Sequence, residues 1–271
     1  MLDLAARGVP LESPIEAYFE VANRCNSKCV TCPVTFSPHE DARQLSLDDF
    51  RGLVDQLPAL QRAVLQGIGE PLLNRDLPPM IRYLKDRGVY VVFNTNAVLL
   101  THRRQVELID TGLDELRVSI DASTPETYLK VRGIPAFDRV VANVAEMVRT
   151  QHLRGASSPR VSLWVTGMQE NLPELPGVID LAARMGVDEV YLQRMVFGFH
   201  ADALARADES ILAEHYRHEA EAFIAECERR ADAHGVRFRG AGALSPRESI
   251  VDRMPSQERG ANAVGRYGWP T

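Results

Sequence analysis

Three of the four cysteines in this chain fall within eight residues, at Cys25, Cys29 and Cys32; the fourth, Cys227, stands far downstream. Three clustered cysteines do not make a disulfide framework in a reducing compartment. Nor does a polar loop give three buried thiols a packing reason. Metal or redox chemistry is the better use of them. A structural zinc site asks for four ligands, and His39, seven residues after Cys32, would complete a Cys₃His set. An iron–sulfur cluster is held by thiolates, and gaps of three and two residues let three sulfurs converge from one loop. Three thiolates leave one iron of a cubane open to a ligand that is not protein.

Other polar groups stand where strands should end. Gly67–Ile68–Gly69–Glu70–Pro71 has glycines that let a backbone approach a ligand closely; an ordinary β–α turn is the plain alternative. Asn94–Thr95–Asn96 is a common turn composition with the same two readings. In Ser119–Ile120–Asp121, strand alternation turns Ser119 and Asp121 the same way. Two such groups on an inner face need partners, unless Asp121 caps the helix starting near Pro125. Arg132 offers a planar fork to a carboxylate, or is a surface charge. Trp164, Thr166, Met168 and Gln193 share one rim. His215 and His218 read as solvated helix positions, and Cys227 as a lone thiol.

The elements that must position these groups are six short β-like runs alternating with amphipathic helices. The strands are expected at Glu16 to Ala22, Ala63 to Gln66, Val89 to Asn94, Glu115 to Ile120, Val161 to Thr166 and Glu189 to Leu192. Helices are expected from Leu47 to Leu57, capped by Ser46, then Leu77 to Arg87, Thr101 to Asp110, Phe137 to Gln151 and Leu172 to Met185. That order predicts a parallel sheet with helices outside. A complete eight-fold barrel takes about 250 residues, whereas six units here finish near residue 200. The fold class expected is therefore α/β, a partial (β/α)₆ barrel with an open parallel sheet and a helical C-terminal extension. Asp208 to His234 reads as one long helix, and Arg237 to Gly242 as one more strand or a turn. The expected division is a tail at 1–14, a core at 15–200, a helical extension at 201–245 and a linker-like tail at 246–271.

The loop Cys25–Asn26–Ser27–Lys28–Cys29–Val30–Thr31–Cys32, placed directly after the first strand, resembles the CxxxCxxC loop of the radical S-adenosylmethionine (radical SAM) enzymes. The resemblance covers roughly Ile15 to Leu192. It implies a partial barrel, a 4Fe–4S cluster on Cys25, Cys29 and Cys32, and SAM bound to the open iron. It further implies an electron donor such as flavodoxin or ferredoxin, and a 5′-deoxyadenosyl radical that takes a hydrogen atom from substrate. Thr31 departs from the aromatic residue often found before the third cysteine. Gly67, Gly69, Glu70 and Pro71 resemble the family's GGEP motif, with Ile68 between the glycines. By the same resemblance Asn96, Ser119, Asp121, Arg132, Thr166 and Gln193 are SAM-contact candidates. Tyr128 to Arg132 followed by Phe137–Asp138–Arg139–Val140 is similar to the branch with C-terminal auxiliary clusters, called SPASM or twitch. The chain is expected to continue past Thr271 into such a region.

Composition narrows the partners. Hydrophobic residues at 45% and charged residues at 25% exclude a disordered or fibrous chain, and a net charge of −6 does not favour nucleic acid. No apolar run approaches the roughly 18 residues of a membrane span, and the first ten residues lack a signal-peptide core, so a cytoplasmic protein is expected. With about 14 residues ahead of the barrel and no peptide-binding module there, the expected substrate is a small polar molecule of sugar, cyclitol or nucleoside type. A peptide- or protein-modifying maturase is the alternative, and a non-catalytic zinc or iron–sulfur protein a further one.

Overall fold

The computed structural model describes residues 13–36, 41–195, 211 and 214–241. Seven strands form one sheet in simple chain order, every neighbouring pair parallel. They are β1 (Glu16–Tyr18), β2 (Arg62–Val64), β3 (Tyr90–Thr95), β4 (Glu115–Ser119), β5 (Arg160–Gly167), β6 (Glu189–Arg194) and β7 (Arg237–Gly240). The six expected strands are all present, and the Arg237 segment is a seventh, paired in register with β6 through Glu189 and Tyr191. Among the described residues β1 and β7 do not pair, so the barrel stays open.

Helices join consecutive strands: α1 (Pro33–Phe36) and α2 (Leu47–Val54) after β1, α3 (Leu77–Lys85) after β2, and α4 (His102–Asp110) after β3. Then come α5 (Pro125–Arg132) and α6 (Phe137–Leu153) after β4, α7 (Leu175–Met185) after β5 and α8 (Arg217–His234) before β7. Ser46 caps α2 as expected, its side chain accepting from the Asp49 amide. The helix expected from Leu172 instead starts as a 3₁₀ turn, Leu172–Glu174, followed by α7. Pro176 has no N–H to donate back to Leu172, so the α-helical ladder cannot begin earlier. The expected segment 208–210 and the tail from residue 242 lie outside the described residues, as does His39.

The two faces of the sheet differ sharply. Phe93, Leu116, Val118, Leu163, Val165, Val190 and Leu192 point into one core with Leu84, Leu108, Val144, Met147 and Ile179 from the helices. Cys227 on α8 is a lone thiol buried in that core. The inner face alternates with this one and is polar, carrying Glu115, Arg117, Ser162, Trp164, Glu189 and Tyr191. No helix among the described residues is long and apolar enough to cross a membrane.

Candidate active site

The cysteine loop leaves the C-terminal end of β1, and two other loops grip it. On one side, Gly69 lies so close to the Ala22 and Arg24 carbonyls that a Cβ would fall on the backbone, and the Glu70 amide donates to the Arg24 carbonyl at 2.9 Å. Cys32 Sγ reaches the Ile68 carbonyl at 3.9 Å. The close approach these glycines allow is thus, first of all, to their own chain. On the other side, the Lys28 and Val30 amides donate to the carbonyls of Arg132 and Val131 at 3.1 and 3.0 Å. Gly133 ends α5 in the left-handed region at φ 69°, and a Cβ there would overlap the Lys28 carbonyl. Sequence reasoning selected Arg132 for its guanidinium but did not find that Arg132–Gly133 also braces the cysteines.

Gly133→Ala tests this brace. Left-handed strain costs about 1–3 kcal/mol for a residue other than glycine, before the overlap with Lys28 is relieved. The variant is expected to melt at lower temperature and to retain less iron after reconstitution. Unchanged iron retention would separate the α5 end from the loop's geometry.

Glu70 is buried and fully engaged. Its Oε1 accepts from the Leu72 amide at 3.0 Å and from Thr95 Oγ1 at 2.6 Å, and its Oε2 from the Asn96 amide at 2.8 Å. Burial nevertheless pushes its carboxyl above the usual range. It caps the turn starting at Pro71 and ties it to the end of β3. Asn96 continues the chain of contacts, its Nδ2 donating to Asn26 Oδ1 at 2.7 Å and lying 3.7 Å from Cys25 Sγ. Gly67, Gly69, Glu70, Pro71 and Asn96 are therefore brought together around the first and third cysteines.

Asp121, Arg132 and Thr166 form a second group around Cys29. Arg132 Nη1 donates to Asp121 Oδ2 at 2.8 Å, and the Thr166 amide donates to Asp121 Oδ1 at 2.7 Å. Asp121 sits at φ 58°, so a turn aims its side chain, not strand alternation. The cap of α5 is Thr124, which accepts from the Thr127 amide; Asp121 is free of that task. Burial opposes charge on Arg132, yet Cys29 and Asp121 nearby raise its pKa beyond the ordinary guanidinium value. Burial likewise pushes the Cys29 thiol up to about 11, against the pull of Arg132. Gln193 neighbours Thr166 in register, and Ser119 neighbours Trp164. Trp164 is stacked on Tyr191 and Met168 packs with Val131 and Met195 at the rim. Sequence reasoning missed Asn171, a buried amide that donates to the Asp121 and Thr166 carbonyls at 2.9 Å each. His215 and His218 are exposed, as expected for solvated positions.

These groups fit an iron–sulfur cluster. Among the described residues no three His, Cys, Asp or Glu side chains converge on the point a single ion would occupy; in a cubane each thiolate binds its own iron. The Ser27 hydroxyl inside the loop and Asn94 Oδ1 at the end of β3 are buried without a partner. Buried polar atoms are rarely left so, and a polar ligand between β3 and the loop would satisfy them.

Comparison with known families matches residues 19–182 to the Radical SAM superfamily. The chain belongs to that superfamily. It is 32% identical over 170 residues to the AdoMet-dependent heme synthase of Methanosarcina barkeri, covering 62% of this chain and 47% of that protein. It is 26% identical over 180 residues to the PqqA peptide cyclase of Bradyrhizobium diazoefficiens, covering 65% and 45%. In fold it resembles Streptococcus suis SuiB crystallised with its precursor peptide SuiA, with a TM-score of 0.69 and 14% identity over 92% of this chain and 53% of that one. The chain spans about half the length of the curated relatives it matches. The radical SAM family expected from the cysteine loop therefore stands. The small polar substrate of sugar, cyclitol or nucleoside type does not, because the peptide-modifying relatives overturn it. That expectation rested on the shortness of the stretch ahead of the barrel and on no residue that contacts substrate.

Proposed function

We propose that this chain is the radical-generating part of a peptide- or protein-modifying radical SAM enzyme. The observation that carries the proposal is the three-cysteine loop held between Gly69–Glu70 and Arg132–Gly133, with a buried guanidinium beside Cys29. Cys25, Cys29 and Cys32 would hold a 4Fe–4S cluster, and the Glu70–Asn96 and Asp121–Arg132 groups would hold SAM. Held there, the two groups would supply one-electron reductive cleavage of SAM and hydrogen-atom abstraction from substrate.

The chain's own residues have separate tasks. Asn96 Nδ2 offers a hydrogen bond to the Cys25 sulfur, which spreads thiolate charge. Arg132 places fixed positive charge beside Cys29, where it balances an anionic cluster and meets a carboxylate. Glu70 and Thr95 fix the β2 and β3 ends so that backbone groups keep their positions. Val131, Met168 and Met195 form an apolar rim that excludes water from the opening.

The peptide class is supported by the PqqA cyclase relative. The core unit is residues 15–200, and an external reductant of the flavodoxin or ferredoxin type delivers the electron. The test is anaerobic reconstitution, followed by iron and sulfide analysis and SAM turnover with deuterium-labelled peptides. The expected result is about four irons per chain and deuterium in 5′-deoxyadenosine. A colourless protein that binds zinc and leaves SAM intact under reduction would overturn the proposal.

A further inference from the structure

The inner face of the sheet carries a second polar system, away from the cysteines, that the radical chemistry does not use. Two carboxylates lie at its centre, Glu115 and Glu189, each side chain 3% exposed. Glu115 accepts from Arg117 Nε and Nη2 at 2.8 and 3.2 Å and from Arg160 Nη2 at 2.9 Å. Burial disfavours its charge, but those guanidiniums outweigh burial and hold its carboxyl below the usual range. Glu189 faces Arg160 at 3.3 Å, Arg237 at 3.4 Å and Arg239 at 3.9 Å. Four guanidiniums thus surround two carboxylates, on a chain whose net charge is −6.

The four are not held alike. Arg117 is covered and lies 4.2 Å over the Trp164 ring. The Arg239 side chain is 39% exposed, and among the described residues its guanidinium makes no hydrogen bond, its distance to Glu189 being too long for one. Arg237, two residues before it, is 60% exposed. Surplus like charges repel one another and disfavour the fold until an anion joins them. Arg239 pairs in register with Tyr191, which stacks on Trp164 with ring centres 4.1 Å apart. Gln193 and Thr166 lie two residues further along the strands, about 7 Å toward the cysteine end. A chain entering at that end meets the aromatic stack with Arg239 level with it on the neighbouring strand.

We propose that Arg239, with Arg237 and the Trp164–Tyr191 stack, is a subsite that binds a carboxylate of the peptide substrate. A guanidinium presents two parallel N–H groups that match a carboxylate. The proposal rests on the peptide reading above. An Asp or Glu side chain and a free peptide C-terminus share this chemistry.

Random octapeptide pools panned against the full chain, one pool amidated and one with free C-termini, separate the two sources. Enrichment of Asp and Glu in the amidated pool assigns the subsite to an acidic side chain. Enrichment confined to the free-acid pool, without Asp or Glu preference, assigns it to a chain end. In either case Arg239→Gln is expected to lower recovery of the enriched peptides roughly tenfold or more, the size of one charge-assisted contact. Arg239→Lys should restore part of it. Arg103→Gln, an exposed site on α4, should change nothing. No carboxylate preference in either pool, or a preference unmoved by Arg239→Gln, overturns the inference and leaves the peptide reading standing. Recovery of no peptide overturns both.

Discussion

Replacing Cys29 by alanine is expected to remove the cluster and SAM cleavage together. The loop supplies three thiolates, and two do not hold a cubane well. Cys29 is the middle ligand, and Arg132 lies beside its sulfur. Its loss also leaves that buried guanidinium with one anionic neighbour fewer. Reconstituted protein should fall from about four irons per chain to near none, lose its brown absorbance and form no 5′-deoxyadenosine. Cys25→Ala and Cys32→Ala should behave alike. Cys227→Ala is the matched control, since it removes a thiol buried in the α8 core. It should keep its iron and lose only about 0.5–3 kcal/mol of stability. Full iron and turnover in Cys29→Ala would place the cluster on other residues.

The fold was legible because each strand is a short run of β-formers and each helix has one apolar face. Val91 and Phe93, for example, lie in a nearly continuous apolar run and are fully buried. The seventh strand was ambiguous for a physical reason. Arg237–Phe238–Arg239–Gly240 has two arginines that face the inner side, so it lacks the apolar density of a buried strand. Its membership in the sheet depends on Glu189 and Tyr191 across the ladder, which are remote in sequence.

The candidate site was legible in its cysteines and only partly in its supports. Spacing along one loop is local, and so is the Gly–Ile–Gly–Glu–Pro turn. The pairing of Asp121 with Arg132 spans eleven residues and a left-handed turn, and no periodicity announces it. Asn171 is a further case. It follows the rim residue Met168 by three positions, and its donation to the Asp121 carbonyl comes from 50 residues away. Its one local signal is a polar amide ahead of an apolar helix start, which reads equally well as a surface turn. The Glu115–Glu189 arginine network left even less trace, because its six charges are spread over four strands and gather only when the sheet forms.

Asp121→Ala is expected to destabilise the apoprotein strongly, before any cofactor is considered. The Asp121 and Arg132 side chains are 5% and 12% exposed, and their contact is 2.8 Å. Removing one partner of a buried ion pair costs about 3–5 kcal/mol, because the other charge stays buried and unpaired. The Cys29 thiol beside Arg132 is pushed up to about 11 in the metal-free chain, so it stays neutral there and does not offset this. Alanine also orphans the Thr166 amide and must adopt φ near 58°, where asparagine and aspartate are better tolerated. Asp121→Asn should therefore cost less, about 1.5–3 kcal/mol for the lost charge-assisted bond, since its side-chain oxygen still accepts from Thr166. Urea unfolding of the metal-free chain measures both. In the reconstituted protein the two variants should weaken SAM binding roughly ten- to hundred-fold, as Arg132 loses the group that orients it. Arg132→Gln combined with Asp121→Asn should weaken it by much less than the product of the single effects, because the residues act as one unit. Additive losses, with an Asp121→Ala apoprotein as stable as the parent, would make the two side chains independent and leave Arg132 oriented by α5 alone.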